Sequence, residues 1–165
     1  MYLLDANTYI QAKNFHYQMT FCPAYWQWLD HQYESGRLGS ISKVYDELAV
    51  YGDDLSAWVR DRREHFMEVS PEAIQDKFAE VAQHVAGLPG KPAANIADFL
   101  SGADPWLVAV AAERGATVVT HERLVDTQSK KIKIPNICME FRVPYISTYE
   151  LLNQLEAQFV LGGTP

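Results

Sequence analysis

Cysteine is scarce in this 165-residue chain. Cys22 and Cys138 are too few for a disulfide framework, and neither belongs to a CxxC pair, so a reduced, cytoplasmic setting is the expectation. Long apolar runs are also missing. The longest, PWLVAVAA from Pro105, falls far short of the roughly 20 residues that cross a bilayer, so no membrane is expected as a partner. No basic segment precedes an apolar stretch near the start, where Asp5 would interrupt one, and a signal peptide is not expected. Internal repeats and low-complexity tracts are absent. Positive charge is in short supply: 14 Lys and Arg face 21 Asp and Glu, giving a net charge of −7. That balance argues against holding nucleic acid by bulk attraction alone, but it does not exclude an enzyme that gathers carboxylates around a metal.

What remains is ordinary globular composition, 48% hydrophobic and 21% charged. The length suits one domain with a real core. That domain is expected over residues 1–161, with a flexible tail at 162–165, Gly-Gly-Thr-Pro. Short apolar runs alternate with amphipathic helices, the pattern of an α/β domain with a mainly parallel sheet of about five strands. The strand candidates are Tyr2–Leu4, Leu38–Ile41, Phe66–Val69, Thr117–Val119 and Pro144–Ile146. Pro23 opens a helix with Tyr25, Trp26, Leu29 and Tyr33 on one face, closed near Gly36. Ser70-Pro71-Glu72 reads as an N-cap serine, a proline at the first helical position and an early acid, followed by Ile74, Phe78, Val81, Ala82 and Val85 at helical spacing. Ser147 and Glu150 fit a capping box, with Leu152, Leu155 and Phe159 behind it. GLPGKPAAN, from Gly87, reads as a loop.

Four acids stand where such a fold could bring them together. Asp5 closes the first strand. Glu47 lies at the edge of the apolar stripe of a helix capped by Ser42, in which Val44, Leu48 and Tyr51 share a face. Asp104 precedes Pro105 and so reads as an N-cap, a role that leaves one oxygen for a ligand; its helix runs to Gly115. Glu122 ends the Thr117–Val119 strand segment, in Thr120-His121-Glu122. The carboxyl ends of parallel strands are where open α/β sheets bind ligands. Asp46 and Asp53 are weaker candidates, and His121 has no second histidine or cysteine at zinc-ligand spacing.

Leu4-Asp5-Ala6-Asn7, Val44 to Leu48 around Glu47, Ala103-Asp104 with its helix, and Val119-Thr120-His121-Glu122 occur in the order that resembles the PIN-domain family. That family comprises compact metal-dependent ribonucleases, among them the virulence-associated-protein C toxins. The resemblance implies a three-layer α/β/α fold and an endoribonuclease, the toxin of a type II toxin–antitoxin system. It also implies an antitoxin encoded nearby, with a homodimer as a further possibility. Two departures stand out: the last acid is usually aspartate in that family and is Glu122 here, and the segment between Glu47 and Asp104 is longer. The length points to a larger PIN-like subgroup.

The chemistry gives each residue a task. Crowded carboxylates repel one another and are stable only with a cation or with raised pKa values. Mg²⁺ or Mn²⁺, one ion or two, would be ligated by Asp5 and Asp104. Glu47 and Glu122 would ligate or hold metal-bound water. Asn7 and Thr120 would orient water or phosphate, although Asn7 reads equally as the N-cap of the next helix. Lys130, Lys131 and Lys133, with Arg123, would bind RNA phosphates, and Arg60, Arg62 and Arg63 form a second basic cluster. The aromatic residues offer stacking surfaces for bases, though Trp26, Trp28 and Trp106 read more naturally as core or interface. Two other readings compete: a PIN-like scaffold that binds without catalysis, and a haloacid-dehalogenase-like phosphatase. The Asp-x-Asp-x-Thr start of the latter is broken here by Asn7 and Tyr9.

Overall fold

The computed structural model describes residues 1–160, and the tail expected at 162–165 lies outside them. Five short strands, β1 (Tyr2–Leu4), β2 (Leu38–Ile41), β3 (Phe66–Met67), β4 (Thr117–Val119) and β5 (Tyr145–Ile146), form one sheet in the order β3-β2-β1-β4-β5, with every pair parallel. β1 is central because its residues suit burial on both faces. Leu3 and Leu4 are at most 1% exposed and lie in register with Val118 and Val119, which are fully buried. Parallel strands covered on both sides read as continuous apolar runs, which is how these five were legible.

Parallel pairing demands crossovers, and crossovers are right-handed. From β1 the chain steps outward to β2 and β3 through α1 (Ala6–Asn14), α2 (Pro23–Glu34), α3 (Ser42–Leu48) and α4 (Asp54–Arg60), which therefore cover one face. It then crosses back to β4 and on to β5 through α5 (Glu72–Ala86), α6 (Ala93–Ser101), α7 (Asp104–Arg114) and α8 (Ile134–Glu140), which cover the other; α9 (Thr148–Gln154) follows β5. The packing agrees: α1, α3 and α4 touch one another, and α7 packs against α5, α6 and α8. The strand order reverses direction between β1 and β4, and there the adjacent loops part to leave a crevice at the carboxyl edge.

Several local expectations differ from the structure. Ser70 is not a cap: α5 has Pro71 at its N-cap and no side-chain bond there. Ser42 is the first helical residue of α3, buried behind an Ile41 cap, and Tyr51 lies past the helix and is exposed. Ala93 to Asn95, read as loop, start α6, since alanine propensity outweighs the preceding prolines. The final helix ends at Gln154, so Phe159 lies beyond it and packs on Tyr17, Tyr25 and Trp28. The capping box of Ser147 and Glu150 is present. Among the described residues no helix is long and apolar enough to cross a membrane.

Candidate active site

Asp5 leaves β1 in extended conformation and caps α1. One carboxylate oxygen accepts from the Thr8 N–H at 2.8 Å and the other from the Thr120 hydroxyl. The side chain is 1% exposed. Burial, first of all, pushes its pKa up to about 7 against the opposing effect of these hydrogen bonds, and the Glu122 charge adds to the rise. The cap is therefore Asp5 and not Asn7, which is the exposed second residue of α1 and makes no side-chain hydrogen bond among the described residues. Thr120, 2% exposed, ties two acids together: its hydroxyl also accepts from the Glu122 N–H at 3.0 Å.

Asp104 corrects its expected role. The N-cap of α7 is Ala103, already in helical conformation, and Asp104 is the first helical residue with no cap bond. The Ala103 N–H is met instead by Glu47, whose Oε1 accepts from it at 2.8 Å across the crevice from α3. Asp104 thus keeps both oxygens free of hydrogen bonds among the described residues. Its pKa is pushed up to about 7, chiefly by burial and then by the charges of Asp5, Glu122 and Glu47. Asp104 is thus the acid on which the other three converge, as helix and strand ends deliver them to one edge.

Glu122 follows β4 and is turned toward the segment before α8. It forms an ion pair with Lys133 and accepts from the Ile134 N–H at 2.8 Å. An open cleft is lined by Asp104, Glu122, Lys131 and Lys133 together with Asn95, Asp98 and Phe99 of α6. Of these, Asn95 reads in sequence as the end of a loop, and Asp98 and Phe99 carry no signal that ties them to the acids. Lys130 is exposed and contributes a carbonyl to Asn95 at 2.8 Å, while Arg123 lines a neighbouring hollow with Thr120, His121 and Glu122.

Other candidates are placed elsewhere. His121 shares a hydrogen bond with Thr148 at 3.0 Å, and burial lowers its pKa. The arginine cluster is structural: Arg62 grips Asp30 through two bonds of 2.6 and 2.9 Å and stacks over Trp58, and Arg63 pairs with Glu68 over Tyr45. Asp53 caps α4 and pairs with Lys13, which holds its pKa down at about 2. Asp46 is exposed. Trp26 is buried and Trp106 stacks on Phe78 at 3.6 Å, both as packing residues.

The donor set suits a hard divalent ion, since every candidate ligand is a carboxylate oxygen. Among the described residues no three His, Cys, Asp or Glu side chains are close enough to enclose one by themselves. Water would have to complete the coordination, as Mg²⁺ ordinarily requires.

A parallel sheet wound both ways from its centre, with acids collected where the winding reverses, is a PIN-like α/β fold. The fold is similar to that of VapBC2 from Rickettsia felis, solved bound to a DNA fragment from their promoter. The identity is 14% over 88% of this chain and 97% of that one, with a TM-score of 0.52. FitAcB from Neisseria gonorrhoeae is also similar, at 20% identity over 88% of this chain and 96% of that one, with a TM-score of 0.46. The chain belongs to the family described as a domain of unknown function, DUF4411, which matches residues 2–159. No curated protein sequence matches it significantly.

Proposed function

We propose that this chain is a divalent-metal-dependent endoribonuclease and the toxin of a toxin–antitoxin pair. The observation that carries this reading is the convergence of acids on Asp104, at the edge of an open cleft. Burial and the charges of Asp5, Glu122 and Glu47 together push its pKa up to about 7, and Glu122 adds to the burial that raises Asp5. Evolutionarily useless repulsion of this kind is relieved by a cation, and perturbed carboxyls in a cleft mark a functional site. Asp5, Asp104 and the second oxygen of Glu47 would hold Mg²⁺ or Mn²⁺, with Glu122 the fourth acid. When bound, the ion acidifies water and neutralises charge on the attacked phosphate.

The chain's own groups do the rest. Thr120 fixes the Asp5 carboxylate and the Glu122 backbone in one orientation. Glu47, anchored on the Ala103 N–H, sets the distance between α3 and the start of α7. Lys131 and Lys133 line the cleft and supply positive charge for a phosphate backbone that an acidic protein would otherwise repel. The likeness in fold to VapBC2 and the order of the acids support a nearby-encoded antitoxin as partner.

The test is cleavage of a labelled RNA in Mg²⁺ or Mn²⁺, against EDTA and against Asp104→Asn, with p-nitrophenyl phosphate as counter-substrate. Metal-dependent RNA cleavage lost in the variant is expected. Hydrolysis of the phenyl ester alone would favour the phosphatase. A non-catalytic scaffold is the second reading, favoured by the engagement of Glu122 with Lys133; it would cleave neither substrate.

A further inference from the structure

Glu122 does not stand free. Both its oxygens are engaged, one by Lys133 Nζ and one by the Ile134 N–H at 2.8 Å, and the side chain is only 13% exposed. Asp104, lining the same cleft, has no such partner among the described residues. Asp5 also has both oxygens engaged, by the Thr8 N–H and the Thr120 hydroxyl, but neither partner is charged. A metal on Glu122 would instead compete with the part-buried Lys133 ammonium, and breaking such a pair is costly. Lys133, by contrast, has donors to spare. An ammonium carries three N–H groups, and one bond to Glu122 leaves two directed elsewhere. Its side chain is 32% exposed, open to the cleft yet fixed in place, unlike the exposed Lys130 and Lys131.

We propose that Glu122 is a positioning residue that holds Lys133 in the Asp104 cleft, and that Lys133 is the fixed cation that receives an RNA phosphate there. This rests on the nuclease reading and refines it: the metal is left to Asp5, Asp104 and Glu47, and the fourth acid serves the substrate through a lysine. A lysine suits the task because its charge is compact and meets a phosphate as a point charge.

Two measurements on the full chain test it. In the first, a labelled single-stranded RNA is titrated in EDTA over a range of salt. Lys133→Met should lower the magnitude of the salt slope by about 0.7, the loss of one phosphate contact, and Lys133→Arg should restore it. Glu122→Gln should weaken binding although it removes a negative charge, and adding it to Lys133→Met should change nothing further. An unchanged slope in Lys133→Met, tighter binding by Glu122→Gln, or no RNA binding by the wild type would overturn the proposal. In the second, Mn²⁺ alone is titrated calorimetrically. Asp104→Asn should lose more than a hundredfold in affinity while Glu122→Gln stays within about fivefold of wild type; a Glu122→Gln loss matching Asp104→Asn makes it a ligand and overturns the proposal. If the wild type takes no Mn²⁺, the metal reading fails, and the salt series still decides the role of Lys133.

Discussion

Asp104 carries no capping duty, and that changes what its substitutions should do. A lost cap would cost about 1 kcal/mol on replacement by alanine. Because the cap position belongs to Ala103, Asp104→Ala should not fall below Asp104→Asn by the margin of a lost cap, neither should melt below wild type without metal, and both should be inactive on RNA. An active Asp104→Asn would remove it from the site. The raised pKa values of Asp5 and Asp104 predict a pH dependence with a definite sign. Both carboxyls bind protons more tightly in the folded chain than in the unfolded one, whose carboxyls titrate near 3.8. Metal-free stability from these two groups is therefore greatest at low pH, falls as pH rises from about 4 to about 7, and levels off above. Melting of an Asp5→Asn, Asp104→Asn double variant without metal should exceed wild type by a margin that widens across that window. Mn²⁺ at pH 8 should raise the wild type and not the variant. A margin that stays constant with pH would contradict the titration of these groups.

Among the elements, legibility tracked burial. All five strands and the pairing of apolar runs such as Leu3–Leu4 with Val118–Val119 were readable, because a doubly covered strand leaves an uninterrupted apolar signature. Asp5 and Glu122 were readable for a related reason, since each interrupts the chain just where such a run stops. Caps were less legible, because a serine before a proline and a serine at a true cap look alike in sequence while only one finds a free N–H. Ser147 finds the Glu150 N–H and Ser70 finds none. Ser147→Ala should accordingly cost about 1 kcal/mol in chemical denaturation and Ser70→Ala nothing measurable. Equal effects would mean the box contributes no net stability. What the sequence concealed was long-range pairing. Nothing in the order of residues indicates that Glu47 meets the Ala103 N–H or that Lys133 meets Glu122, because these contacts depend on where the helices and connecting segments come to rest.

For the molecule as a whole, the toxin reading has a cellular consequence. Induced expression in bacteria should arrest growth, Asp5→Asn should be harmless at equal levels of folded protein, and co-expression of the neighbouring gene's product should restore growth. Unimpeded growth with abundant folded wild type would count against a toxin. The reversal of winding between β1 and β4 bears on this through time. Asp5 and Thr120 are bonded across 115 residues, so the crevice has one wall made early in synthesis and the other made late. At roughly 5–20 residues per second, the ribosome delivers the second wall on the order of ten seconds after the first. Until β4 slots in beside β1 the acids are strangers to one another, and on the proposed nuclease reading a nascent chain would leave intact the messenger that encodes it.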